Sequence, residues 1–360
     1  MTVEVFVSIR NRVTRIYPNV SPSPITMANI IQSPNYHMTL SKFIFNEELK
    51  HEKITGEFTE LLSSCQTIAK AISAMLRRVG LNEPYGTPEK EKEPMKIQGI
   101  AQDIFIKILS ETGSVGIIIS RFSPKVIDVE KTKKGKYILV IDPLDGVTNI
   151  ELGLPTGSIF GIMLRVDSRV PTVEDALNSN NKMVASGYMM YGSTTIFVLT
   201  TGEGVNEFIL DPQIGEFLLT DKAIRIAEKG MSYSVNEGYL ALWDDAIKEY
   251  IRERKFPDKK KHYTARYVGS MVGDFHRTLK RGGIFMYPGN KDQPFGKLEL
   301  MSKCKPLAFI VTQAGGAASD GHTNILEIVP KSIHQTTPIF IGSPVDVNEV
   351  LEFVEKHQKR

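Results

Sequence analysis

Two cysteines in 360 residues, Cys65 and Cys304, are too few for a disulfide framework or a zinc cluster. A reducing compartment is therefore expected. There is a single tryptophan, no apolar run long enough to span a membrane, and no signal-peptide apolar core near the start. A dense basic run with interleaved aromatics is also missing: 44 Lys and Arg are nearly balanced by 41 Asp and Glu. That argues against nucleic acid as a partner. These absences leave a cytoplasmic protein with no membrane partner, and its formal net charge of +3 suits an anionic small molecule.

What is present is a hydrophobic fraction of 41%, enough for one large domain or two tightly joined ones. The first 38 residues carry Arg10, Arg12 and Arg15 among scattered Ser and Pro, and read as a poorly ordered arm that helps assembly. Glu4 and the prolines disfavour a mitochondrial presequence. Apolar residues at three- and four-residue spacing predict a helix over 57–79, from Phe58 to Val79, stopped by Gly80. Residues 81–95 hold three prolines and a charge run and read as a mobile, solvated loop. A second helix is predicted from Met95 to Leu109, burying Ile97, Ile100, Ile104 and Ile108.

Strand patterns follow at 115–120, 137–142, 156–164, 184–192, 194–200, 207–211 and 216–220, spaced by turns as in an antiparallel sheet. Helices return at 241–254 and 268–281, then a strand at 283–288. Pro306 opens a helix that Gly315-Gly316 ends, and a last helix spans 345–357. The class is α/β or layered α+β, with two sheets.

The strand at 137–142 runs into VIDPLDGVTN, which sets Asp142 and Asp145 three residues apart. Two carboxylates after an apolar strand suit a divalent cation, but two alone make a poor site. The plainer reading is a strand-end turn with solvated carboxylates.

DPLDG, TGSIFGI, NEGY, ARYVGSM, YPGNK, GKLEL and AGGAASDG, in this order, resemble the fructose-1,6-bisphosphatases of the eukaryotic, AMP-regulated kind. The likeness runs from about Thr39 to His357. It implies a fold of two stacked α/β subdomains, a homotetramer, a sugar-phosphate ligand, AMP regulation and Mg2+ as cofactor. On that scheme 1–38 is the arm, 39–222 the AMP-type subdomain with DPLDG, and 223–360 the sugar-phosphate-binding subdomain. The resemblance assigns Asn236, Tyr239, Tyr267, Tyr287 and Lys297 to phosphate, and Arg266 to a phosphate across a subunit interface. Gly269, Ser270 and Met271 lie along the sugar. For AMP it assigns Thr55, Gly56, Glu57, Phe58 and Thr59 at a helix start, with Lys136 and Tyr137. The family's more distant AMP arginine falls on Leu164, with Arg165 one residue later on the opposite face of a strand.

The metal positions depart from the family. Asp142 and Asp145 remain, with the Leu144 carbonyl, as a residual, weak site. The family's Glu pair becomes Arg121 and Phe122, its helix Asp becomes Gln98, its late Glu becomes Lys303, and its active-site Arg becomes Glu299; a further loop Asp falls near Lys92. These swaps move the local charge by roughly four units, enough to abolish tight magnesium binding. Arg121 and Lys303 are either ordinary surface charges or side-chain cations that replace the metals and hold a second phosphate. Glu299 and Lys303, four apart, are candidates to pair with each other, and Phe122 to fill vacated space. The histidines are scattered, and His276 and His334 read as structural.

The expectation is a family member that binds fructose 1,6-bisphosphate or fructose 6-phosphate, with no catalytic set intact and little or no phosphatase activity. The alternatives are an active gluconeogenic phosphatase with a rebuilt site and a regulatory subunit in mixed oligomers.

Overall fold

The computed structural model describes residues 7–9, 12–14, 38–50, 56–79, 93–129, 135–165, 172–178, 181–257 and 262–358. Thr55, Gly80, Lys92 and most of the 81–95 loop lie outside the described residues, as does most of the arm. The described residues fall into two units, one within 1–37 and the other within 38–360. Within the first, Val7–Ile9 and Arg12–Thr14 pair as an antiparallel hairpin.

The second unit is built around an eight-stranded sheet: β1 (Val115–Ser120), β2 (Ile127–Asp128), β3 (Tyr137–Asp145), β4 (Thr156–Leu164), β5 (Lys182–Tyr191), β6 (Thr195–Thr200), β7 (Asn206–Asp211) and β8 (Glu216–Asp221). Their spatial order is β8-β7-β6-β5-β4-β3-β1-β2. All neighbours are antiparallel except β1 and β3, which run parallel. Both β1 and β3 are buried along their whole length, because both faces of the sheet are covered. Side chains alternate between those faces. Leu139 and Ile141 join the core under one face, while Ile138 and Val140 join a cluster on the other.

The first face is covered by α1 (Leu40–Lys50), α2 (Gly56–Leu76) and α3 (Glu93–Ser110). Helix α2 buries Phe58, Leu61, Leu62, Cys65, Ile68 and Ile72, as its periodicity predicts. For α3 the expected stripe holds in part: Ile97 is buried and Ile104 and Ile108 pack half-buried against the core, but Ile100 does not. Ile97, Ala101, Phe105 and Leu109 are buried, whereas Ile100 is 49% exposed. A strict four-residue step from Ile97 selects this stripe, and Ala101 is small enough to lie against the sheet.

A second sheet of five strands comprises β9 (Ser232–Ser234), β10 (Thr264–Ala265), β11 (Ile284–Tyr287), β12 (Ala317–Ser319) and β13 (Ile339–Gly342), in the order β10-β9-β11-β13-β12. Helices α4 (Asp245–Lys255), α5 (Met271–Arg281), α6 (Lys305–Gln313) and α7 (Pro344–Gln358) complete the unit. Val272, Phe275, Leu307 and Val311, on α5 and α6, share one core with Tyr188 and Val198 of the large sheet and Phe285 and Ile341 of the small one. Helices α4 and α7 pack on the far side of the small sheet around Trp243, Tyr250 and Phe340. The layers therefore alternate helix, sheet, helix, sheet, helix. The Arg254 guanidinium, stacked between Tyr250 and Tyr263 at 4.4 and 4.6 Å, pairs with Glu349 and pins α4 to α7.

Phe197 is fully buried between Phe160 and Phe217, with ring centroids 5.8 and 5.5 Å away. Phe197→Ala is expected to cost about 3–5 kcal/mol of stability, read from the midpoint and slope of urea denaturation. A loss under ~1 kcal/mol would mean that this core readily collapses around the cavity.

Candidate functional site

The two parallel strands set the site. β1 ends at Ser120, and the next residue, Arg121, donates its backbone N–H to the Ile141 carbonyl of β3 at 3.1 Å. Arg121 is thereby fixed beside the DPLDG end of β3, at the carboxyl ends of adjacent parallel strands, where open α/β sheets place ligands. From the other side comes a wide π-helical turn, Leu300–Cys304, leading into α6 and carrying Lys303.

Lys303 is 2% exposed. Its ammonium lies 2.8 Å from Asp142 Oδ2 and 2.5 Å from Asp145 Oδ1. Arg121 donates from Nη1 to Asp142 Oδ2 at 3.4 Å and from Nε to Glu299 Oε1 at 3.0 Å. Its guanidinium also lies 5.3 Å from the centre of the Phe122 ring. Burial opposes charge on Lys303 and Arg121, but the facing carboxylates outweigh it and hold both groups above their ordinary values. Burial likewise pushes Asp145 up. The charge and hydrogen bond of Lys303, with donors from Ser270 and the Val272 N–H, more than offset this and hold it below the usual carboxylate range. The expected Glu299–Lys303 pair is not formed. Glu299 belongs to a short strand paired with Thr336, and a π turn follows it, so helical four-residue spacing does not apply.

The remaining metal-type donor is occupied as well. Gln98 Nε2 reaches the Leu144 carbonyl at 3.5 Å. Among the described residues no group of three or more His, Cys, Asp or Glu is placed to hold a metal ion. Two carboxylate oxygens in the cluster, Asp142 Oδ1 and Glu299 Oε2, are buried and have no hydrogen-bond partner there.

The DPLDG turn is locked to the following segments. Gly146 has φ +73°, and a Cβ on it would meet Ser270 Cβ at 2.6 Å, so only glycine fits this approach. Ser270 caps α5 and donates to Asp145 Oδ2 at 2.8 Å. The Asn149 amide donates to the carbonyls of Pro155 and Val268, both at 3.1 Å. Asp274 accepts from the Val268 and Gly269 N–H groups and pairs with Arg277, which shapes the loop before α5. Asn149 and Asp274 escaped the sequence reading. The available signal was a carboxylate in the first turn of α5.

A cavity of 370 Å³ collects most of the expected residues. Asn236, Tyr239, Tyr267, Gly269, Ser270, Met271, Tyr287 and Lys297 line it together with Gln98, Arg121, Asp145 and Lys303. Arg266 does not; it is exposed and its guanidinium donates to the Ala265 carbonyl. Burial pushes the Tyr267 phenol up to about 12, and burial with the neighbouring Tyr239 raises Tyr287, so both are O–H donors at neutral pH.

The residues assigned to AMP lie elsewhere. Gly56, Glu57, Phe58 and Thr59 open α2. Lys136 pairs with Glu57 at 2.7 Å. Phe58, Tyr137 and Leu164 line a separate cavity of 410 Å³. Leu164 is 42% exposed, whereas Arg165 is buried and donates to the Gly135 carbonyl at 2.8 Å. The two side chains thus take opposite faces, as their spacing requires. His276 bonds the Tyr188 hydroxyl, and His334 the Ser123 carbonyl.

The ion cluster has a defined pH range. Asp145, held below its ordinary 3.8, contributes stability that is present above that value and lost as pH falls through its depressed folded value. Lys303, held above its ordinary 10.5, contributes stability that is present below 10.5 and lost as pH rises through its raised one. Lys303→Met leaves buried Asp145 with no charged partner and Asp142 with only the Arg121 contact at 3.4 Å, and is expected to cost about 3–5 kcal/mol at neutral pH. The cost should shrink towards pH 4.5, where the stranded Asp145 carboxyl takes up a proton. Urea denaturation at both pH values checks this, and an equal loss at each would count against the ion cluster.

Two family models match the chain: the fructose-1-6-bisphosphatase N-terminal domain over residues 38–222 and the C-terminal domain over residues 226–355. Fructose-1,6-bisphosphatase 1 of Bos taurus is 44% identical over 325 residues, covering 89% of this chain and 96% of that protein. The cytosolic fructose-1,6-bisphosphatase of Brassica napus is 42% identical over 327 residues, covering 89% of this chain and 96% of that protein. The holo-form crystal structure of Leishmania major fructose-1,6-bisphosphatase superposes with a TM-score of 0.81 at 40% identity, covering 88% of this chain and 98% of that one. With both domain models matched in order and relatives above 40% identity over most of its length, the chain belongs to the fructose-1,6-bisphosphatase family.

Proposed function

We propose that this family member binds a sugar phosphate in the 370 Å³ cavity and hydrolyses fructose 1,6-bisphosphate far more slowly than an enzyme, or not at all. The observation that carries the reading is the Lys303 ammonium seated between Asp142 and Asp145. Magnesium needs several oxygen ligands in near-octahedral array. Here Lys303 takes one oxygen of each aspartate, Gln98 caps the Leu144 carbonyl and Arg121 engages Glu299. This donor set does not fit the ion. An ammonium supplies positive charge, but it has no open coordination position at which to acidify water for attack on phosphorus.

The phosphate end supports retained binding. Asn236, Tyr239, Tyr267, Tyr287 and Lys297 all line the cavity and carry donor groups, a chemistry suited to a phosphate dianion. Arg266 lies outside its own chain's cavity, in keeping with service across a subunit interface, and homotetrameric assembly in the cytoplasm is part of this reading. The named activity of the curated relatives favours a second reading, an active phosphatase.

A phosphate-release assay with fructose 1,6-bisphosphate and Mg2+ decides between the two. The expected turnover is far below the usual enzyme range of about 1–1000 per second; a turnover of about 1 per second or faster removes the inactive reading. Restoring the family residues together (Q98D, R121E, F122E, E299R and K303E) should raise phosphate release by at least about a hundredfold, in keeping with metal-ion catalysis.

AMP is expected to bind weakly, because Glu57 occupies Lys136 and Leu164 supplies no charge. Calorimetric titration with AMP should give little heat, and Leu164→Arg should strengthen binding. Tight AMP binding by the unaltered chain would overturn this part of the reading.

A further inference from the structure

A third cavity, of 360 Å³, lies apart from the two described above. It shares no lining residue with either of them. It sits where β11 and β12 end and β13 begins, against the start of α4 and the C-terminal half of α7. Ile247, Phe340 and Val354 give it an apolar wall, with Pro288 and Pro338 beside them. The volume and the wall are those of a small-molecule site, which also needs a few fixed polar groups.

Asp244, Asn290, Lys291 and Asp320 supply them, all on the lining. Asp244 Oδ1 caps α4, accepting from the Ile247 N–H at 3.0 Å. Asn290 Oδ1 accepts from the Asp292 and Gln293 N–H groups, both at 2.9 Å. Asp320 Oδ1 accepts from the His322 and Thr323 N–H groups at 2.8 and 2.7 Å. In each case one atom fixes the side chain. The other terminal atom, Asp244 Oδ2, Asn290 Nδ2 or Asp320 Oδ2, has no partner among the described residues. The Lys291 backbone N–H donates to the Leu242 carbonyl at 3.1 Å. Its ammonium makes no ion pair among the described residues.

The uncommitted groups are thus of both signs. Two carboxylate oxygens call for a cationic donor, whereas an ammonium and an amide NH2 call for an anionic acceptor. A polyanion would meet the carboxylates, and a simple amine would meet the ammonium. A zwitterion answers both, and the apolar wall favours a bulky hydrocarbon group on it. We infer that this cavity binds an α-amino acid with a large apolar side chain. Its ammonium faces Asp244 and Asp320, and its carboxylate faces Lys291 and Asn290. The inference does not draw on the sugar-phosphate reading of the other cavity.

The test is calorimetric titration of the full chain at pH 7.5 with L-phenylalanine as the probe. One molecule per chain is expected to bind, with a Kd of about 1 mM or tighter. Phenethylamine lacks the carboxylate and 3-phenylpropionate lacks the ammonium, so each should bind at least about tenfold more weakly. Asp320→Asn keeps the turn-forming oxygen and removes the charge, and Lys291→Met alters an exposed side chain. Each variant should weaken L-phenylalanine at least about fivefold. If Asp320→Asn does not fold, Lys291→Met decides. Unchanged affinity in folded Lys291→Met puts the ligand elsewhere and overturns the inference. So does an analogue that binds as tightly as L-phenylalanine, because one charge would then suffice. A Kd for L-phenylalanine weaker than about 10 mM also overturns it.

Discussion

One buried ammonium group ties the site together. Lys303 arrives on the turn before α6, and its two carboxylate partners sit at the end of β3. Through Asp145 the same contact extends to Ser270, which caps α5. Through Asp142 it extends to Arg121 and then to Glu299. Strand, turn and helix are therefore held by charge as well as by the apolar cores on either side. Removing a single partner from such a buried group costs far more than losing a surface pair, because the remaining charges lose their compensation.

The order of the motifs made the fold legible, and the structural neighbour bears this out. Most of the long elements were also visible in their own periodicity. Helix α2 and strands β1 and β3 carry patterns that admit one reading. Two failures are instructive. The stripe of α3 was misread at Ile100, which outweighed Ala101 in the pattern, although the smaller side chain is the one that meets the sheet. Helix α1 went unseen because two of its five apolar residues, Phe45 and Leu49, stay exposed and blur the spacing of the buried Leu40, Phe43 and Ile44.

At the site, the sequence did not show which charged side chains would pair with which. Glu299 and Lys303 are four apart, and the rule for helices would join them. The backbone there is a strand followed by a wide turn. Each side chain turns to a partner more than 150 residues away in sequence, Arg121 for one and the DPLDG aspartates for the other. Pairing of this kind is a property of tertiary geometry. So is the inward turn of Arg165, which leaves Leu164 to face the second cavity.

A cation carried on a side chain differs from a dissolved one in a simple way. The ammonium between Asp142 and Asp145 is tethered by the backbone, so it cannot be diluted, chelated or exchanged for a competing ion. With an ammonium in that place the two aspartates are balanced by the chain itself, and their compensation arrives with folding.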